Sequence, residues 1–390
     1  MFHLIKNANL FSPEAVGLRH LVIAGEKIFH IDTEVPTLDA RFDVEIIDVE
    51  GASVVPGFID GHAHITGGGG ESGPSSRVPP VKLSEFTLAG VTSVVGLLGT
   101  DDITRNTQTL VTQAYGLREE GLSAWCYTGG YHYPLTTLTG NVRSDIAFID
   151  PIIGVGELAI SDHRSSQPTL DEFLRVAGDA HVGGLMTGKA GIVHCHMGDG
   201  ERGLDLLRRA VEISEIPARV FNPTHVNRNK PLFAEALELT KLGCRIDLTA
   251  FPKEHVEPGI AATEAFIAYR EGGYPAELLT MSSDGGGCLP AFNSEGELTR
   301  MGVGTSSILP ETLAELAEHN IPLQEILPCL TSNVAHLLRL SRKGRLEKDF
   351  DADLVVLDQG NKVSHVMARG KWHVRDSEPV ILGAYENTKD

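Results

Sequence analysis

Apolar residues in the first 55 positions fall into short alternating runs, LVIAG, KIFHI and VEIIDV, separated by turn residues. A period of two with such punctuation predicts antiparallel β-strands. The same texture returns between residues 351 and 380, in ADLVVLD, KVSHVMARG and KWHVRD, so the two termini are expected to pair into one small β domain. The stretch between them has a different rhythm. There, β-rich runs recur ahead of segments of helical period such as ERGLDLLRRAVEIS and PLFAEALELTKLG, an alternation that predicts parallel strands joined by helices. Candidate strands span residues 53–59, 92–98, 123–128, 152–160, 192–196, 219–224, 245–250 and 278–282, eight over about 230 residues. Eight such units close a (β/α)8 TIM barrel, whose chemistry is built at the carboxyl ends of the strands. An open doubly wound sheet is the alternative, but no G-x-G-x-x-G follows the first strand.

Length and charge narrow the picture. At 390 residues the chain is too long for one ordinary core and suits one large barrel with a satellite domain. Its 42% hydrophobic and 22% charged residues are globular values, and no stretch approaches the roughly 18 uninterrupted apolar residues of a membrane-spanning helix. The formal charge of −19 repels a phosphate backbone, so neither nucleic acid nor membrane is an expected partner. The opening residues MFHLIKNANLF lack the basic start and apolar run of a secretory signal, which points to the cytoplasm. Cys126, Cys195, Cys244, Cys288 and Cys329 are scattered and odd in number, and contain no C-x-x-C pair. Neither a disulfide framework nor a thiolate metal site is expected.

Candidate chemistry gathers at the predicted strand ends. His62 and His64 close the first strand in PGFIDGHAH, and residues two apart on a strand project the same way. A lone H-x-H is more often a packed or solvent-facing pair, but this one has company. Glu157 lies on the fourth candidate strand, His196 on the fifth, His225 after the sixth and Asp284 after the eighth. Each falls on the face where a barrel places its chemistry. Imidazoles with carboxylates form a ligand set for Zn2+, and also accept Mn2+, Fe2+ or Co2+. The GGGG run at 67–70 follows a strand end, where loops carry function.

With these residues in view, the sequence resembles the amidohydrolase superfamily. PGFIDGHAH and DADLVVLD are the bracketing marks, while GGGGESGP, SVVGLLGTD, ISDHRS, HMGD, PTHVNRN and SSDG look more narrowly like the isoaspartyl dipeptidases within it. The resemblance covers essentially the whole chain. It implies a (β/α)8 barrel over residues 56–344 and a small β-sandwich domain from residues 1–55 with 345–390. It further implies cleavage of β-aspartyl dipeptides by a hydroxide held between two zinc ions, in a homo-oligomer, an octamer by resemblance. Carried over by position, His62, His64 and Asp284 would hold the more buried metal and His196 and His225 the outer one. Asp284 would shuttle the proton and Tyr131 would face the developing oxyanion. Glu71 would take the substrate ammonium, Arg164 and Arg228 its carboxylates, with Thr100 and Cys288 as neighbouring contacts.

Two departures from the family pattern stand out. Glu157 occupies the place of a metal-bridging carboxylated lysine, and Cys288 that of a serine near the substrate carboxylate. A carboxylated lysine is a carboxylate on a long stem, so a glutamate bridges the same ions if the backbone comes closer. His194, His132 and His163 read as structural or supporting residues. The alternative activity is another amide hydrolysis, such as deacetylation of an N-acyl compound. A deaminase is disfavoured because THVNRN lacks the His-x-x-Glu acid, and a silent scaffold needs no converging ligand set.

Overall fold

The structure is a computed structural model that describes residues 2–39, 41–251, 259–292 and 298–386. In chain order it opens with β1 (Phe2–Phe11), β2 (Ala15–Ala24), β3 (Lys27–Asp32), β4 (Val44–Asp48) and β5 (Ser53–Pro56). The parallel strands follow: β6 (Phe58–Ala63), β7 (Val91–Gly96), β8 (Ser123–Thr128), β9 (Ile152–Ile160), β10 (Val193–Met197), β11 (Phe221–Thr224), β12 (Ile246–Thr249) and β13 (Leu279–Ser282). An antiparallel hairpin, β14 (Cys288–Phe292) and β15 (Leu298–Val303), comes next. The chain ends with β16 (Leu354–Leu357), β17 (Val363–Ala368), β18 (Lys371–Arg375) and β19 (Glu378–Pro379).

Strands from both termini form one sheet, in the order β19-β18-β17-β16-β5-β1-β2-β3 with β4 also on β1. Alternation drives this pairing, and it buries Ile5, Leu10, Leu21, Ile23, Leu354, Met367 and Trp372 in a core of their own. The expected all-antiparallel pairing needs correction, because β4 and β5 both run parallel to β1. The two hairpins β1-β2 and β2-β3 leave the chain running with β1 again, and a crossover to the other edge of β1 keeps that direction, so the strand it delivers is parallel.

The alternating middle of the chain forms parallel ladders as its rhythm predicts. Six strands pair in sequence from β6 to β11, and β12 pairs β13. Every residue of β7 and β9 is buried, the signature of parallel strands covered on both faces. The two ladders approach each other where Val226 N–H donates to Asp247 O at 3.4 Å, and Ala63 bridges Gly285 between β6 and the turn after β13. Amphipathic helices cover this sheet, and the one at Leu170–Thr187 buries Phe173, Val176, Ala177 and Ala180 in the shared core. No helix among the described residues is long and apolar enough to cross a membrane.

One boundary differs from the sequence reading. Residues 53–59 read as a single strand, but the chain splits there into β5 and β6, which belong to different sheets. Pro56 has no N–H for a continuing ladder, and the Gly57 N–H turns to Asp353 O at 2.9 Å. A side chain at 57 is excluded, since its Cβ would lie 2.2 Å from Thr92 Oγ1.

Candidate active site

The six candidate ligands converge at the carboxyl ends of the parallel strands. His62 and His64 leave β6 on one side, with ring centroids 5.5 Å apart. Glu157 reaches inward from β9 with its two oxygens facing different imidazoles. Its Oε1 is 3.3 Å from His64 Nε2, and its Oε2 is 3.6, 3.2 and 3.4 Å from His62 Nε2, His196 Nδ1 and His225 Nε2. Asp284 Oδ1 completes the cluster, 3.4 Å from His62 Nε2 and 3.2 Å from His64 Nε2. His225 and Asp284 lie just past their strands with φ of 59° and 54°. This left-handed conformation is uncommon outside glycine, costs of order 1 kcal/mol or more, and clusters at functional sites.

A chain of supporting hydrogen bonds sets the tautomers. Asn222 Nδ2 donates to Arg245 O at 3.0 Å, which fixes the amide and leaves Asn222 Oδ1 to accept from His194 Nδ1 at 2.7 Å. His194 Nε2 must then accept from His62 Nδ1, 2.8 Å away, so His62 Nε2 presents its lone pair to the cluster. Burial and the neighbouring His62 push the His194 pKa down to about 3, which keeps that ring neutral. On the far side, His225 Nδ1 lies 2.7 Å from the Thr249 hydroxyl.

This donor set fits divalent cations. His62 Nε2 and Asp284 Oδ1 are buried without a hydrogen-bond partner, an expensive arrangement unless a cation takes them. Among the described residues, two groups have ligand atoms within 4.8 Å of one another: His62, His64 and Asp284, and His62, Glu157 and His225. His196 stands outside both groups. Its Nδ1 is 2.8 Å from the Tyr131 hydroxyl, and its Nε2 is 2.9 Å from Asp162 Oδ2. With no cation, protons balance the buried carboxylates. Burial opposes charge on His64, yet Asp284 and Glu157 raise its pKa to about 10. Burial likewise disfavours the Glu157 anion, but His62 and His196 hold its carboxyl well below the usual range. Protons and metal therefore compete for the same atoms. Burial and the nearby Glu71 push the Cys288 thiol up to about 12, so no thiolate is on offer.

A polar pocket adjoins the cluster. Glu71, after the glycine run, accepts from Thr100 Oγ1 at 3.1 Å and faces Arg164 Nη1 at 3.4 Å, while its Oε2 is buried without a partner. Arg164 grips Asp162 through Nε and Nη2 at 3.0 and 2.8 Å, and lies 5.4 Å from the Tyr131 ring centroid. Burial raises the Tyr131 pKa well above that of an ordinary phenol, so the hydroxyl keeps its proton. Arg228 is placed less tightly, 3.7 Å from Asp199 Oδ2 with its Nε buried and unpartnered. His132 pairs with Asp102 at 3.2 Å, and His163 is largely exposed.

Sequence reasoning did not single out Asp162, Asn222 or Thr249. Asp162 was visible inside ISDHRS, two residues past the end of β9. Asn222 and Thr249 carry no local signal, because a lone polar residue on a buried strand reads as ordinary filler.

Comparison with known proteins agrees with this geometry. The amidohydrolase family profile matches residues 184–373. The structure superposes on a crystal structure of beta-aspartyl dipeptidase from Fervidobacterium islandicum AW-1 in complex with beta-Asp-Leu dipeptide, with a TM-score of 0.91 and 42% identity over 97% of this chain and 98% of that one. The chain belongs to the beta-aspartyl dipeptidase branch of the amidohydrolase family. A second Fervidobacterium islandicum AW-1 structure of that enzyme is 41% identical over 97% and 98% of the two chains, at a TM-score of 0.89. N-acetylglucosamine-6-phosphate deacetylase from Pasteurella multocida matches over 96% and 100% of the chains at 15% identity and a TM-score of 0.64. That likeness is one of amidohydrolase fold alone.

Proposed function

We propose that this chain hydrolyses β-aspartyl dipeptides at a centre of two divalent cations, zinc being the ion that imidazole and carboxylate donors favour. The observation that carries the reading is the placement of Glu157. One of its oxygens faces His64 and the other faces His62, His196 and His225, so a single carboxylate reaches the imidazoles of both proposed ion positions, as a bridging ligand would. His62, His64 and Asp284 would hold one ion and His196 and His225 the other. Bound ions supply Lewis acidity and a water acidic enough to attack near neutral pH. The reading takes the parallel strands as a closed barrel over residues 56–344, with residues 1–55 and 345–390 as the small β-sandwich domain, in a cytoplasmic homo-oligomer.

The chain's own residues supply the remaining steps. Asp284 Oδ1, at the cluster's edge, accepts the proton of the attacking water and passes it to the leaving amine. The protonated Tyr131 hydroxyl donates to the oxygen on which charge develops. Glu71 Oε2 takes the substrate ammonium, while Arg164 and Arg228 hold carboxylates and Thr100 fixes the Glu71 rotamer. Cys288 stays a thiol beside Glu71, a weaker donor than a serine at that place.

A substrate panel tests this reading. β-Asp-Leu should be hydrolysed at least roughly 100-fold more efficiently than N-acetyl-β-Asp-Leu, because acetylation removes the ammonium that would pair the buried Glu71 Oε2, and than α-Asp-Leu, whose scissile carbonyl lies elsewhere relative to its amine and carboxylates. If the N-acetylated compound is the better substrate, the dipeptidase reading is wrong.

A further inference from the structure

The parallel strands have a second end, remote from the metal ligands. A cavity of about 650 Å3 opens there, lined by Arg219 and Arg245, which lie one or two residues before β11 and β12, and by His336, Arg339, Lys343 and Arg345. A chain of net charge −19 has thus collected five permanent cations around one hollow. Two of them are neutralised locally, Lys343 by Asp351 and Asp353, and Arg345 by Glu14. The other three are not. No carboxylate among the described residues forms an ion pair with Arg219, Arg245 or Arg339, and Arg339 gives one N–H to the Lys189 carbonyl at 3.2 Å.

Arg245 is only 9% exposed, and its Nε is buried with no partner. A guanidinium remains charged even when buried, so this arrangement leaves donors and charge uncompensated. Burial and proximity to Arg339 both disfavour the charge on Arg219, and burial does the same for Arg245, against a modest opposing field from Glu277. The missing component is an anion. Three guanidiniums approaching from different elements match a tetrahedral dianion, whose oxygens accept from several directions at once, and Ser332 and Ser341 add hydroxyls on the same wall. The volume exceeds what a bare ion needs and suits a small molecule.

We propose that this cavity binds a dianionic phosphate group, free or carried on a small metabolite, at a site separate from the dipeptide-cleaving centre. The test is calorimetric titration of the metal-loaded protein with inorganic phosphate and with glucose 6-phosphate, at ionic strength held constant with chloride. Saturable binding is expected, weakened at least 10-fold in both Arg219→Gln and Arg339→Gln, two side chains outside the core whose loss should leave metal content and β-Asp-Leu turnover at the parent level. Tighter binding of the ester would assign the rest of the cavity to its organic part, and tighter binding of the bare ion would assign the site to free phosphate. No saturable heat, or equal affinity in the parent and both variants, overturns the proposal, and the second of these results would place the anion at the metal centre.

Discussion

Glu157 faces four imidazoles from the middle of a fully buried strand, so its charge rather than its shape is what the site requires. Glu157→Gln keeps the volume and removes the charge. The expected result is a folded protein by circular dichroism whose metal affinity falls by more than the roughly 10–100-fold produced by losing an outer partner. Asn222→Ala gives that smaller effect, because Asn222 acts on His62 only through His194. Competition against a chelator measures both. Glu71 lies outside the ligand set, so Glu71→Ala should retain metal while kcat/KM for β-Asp-Leu falls roughly 30-fold to several thousand-fold. Residue type and strand-end position made the imidazoles and carboxylates legible in the sequence. Asn222 and Thr249 were hidden because their importance depends on which neighbouring strand each faces, a lateral relation that one strand's pattern does not carry.

Elements were legible wherever one periodicity ran uninterrupted. The strand-helix rhythm became parallel ladders and the alternating terminal runs became one shared sheet, but the parallel course of β4 and β5 beside β1 was not written in their alternation, and the β5/β6 break was concealed inside a single apolar run, SVVPGFI. The left-handed turns at His225 and Asp284 were also unreadable, because neither position carries the glycine that would announce them. The loop after β7 makes its contribution by leaving space. A Cβ at Gly99 would lie 2.7 Å from His64 Cε1 and 3.4 Å from Glu157 Oε1. Gly99→Ala must therefore move the His64 ring. A misplacement of about 1 Å near reacting groups costs roughly 100-fold in rate. Metal content and kcat should fall together while the far-ultraviolet spectrum is preserved, and parent-level values of both would show that His64 tolerates the shift.

At the scale of the molecule, the terminal sheet and the parallel strands share a boundary where His373 of β18 is buried against Gly121, with neither ring nitrogen hydrogen-bonded. Burial pushes the His373 pKa down to about 4. The folded state therefore holds this ring neutral, while the unfolded chain binds a proton near pH 6.5. The contribution leaves stability untouched above pH 6.5 and costs progressively more as pH falls toward 4, reaching about 3 kcal/mol. Denaturant melts of metal-free parent and His373→Leu proteins should diverge across that window, with the variant losing less stability. Parallel curves would show that the ring is protonated where it lies.

The central claim is that hydrolysis depends on cations held by the cluster around Glu157. Its most direct test is the rate of β-Asp-Leu hydrolysis by metal-stripped protein as Zn2+ is added back in measured equivalents. Activity should be absent at zero metal, rise with added Zn2+ and saturate near two equivalents per chain. Full turnover by the stripped protein, or stoichiometric zinc uptake without any hydrolysis of β-Asp-Leu, would contradict it.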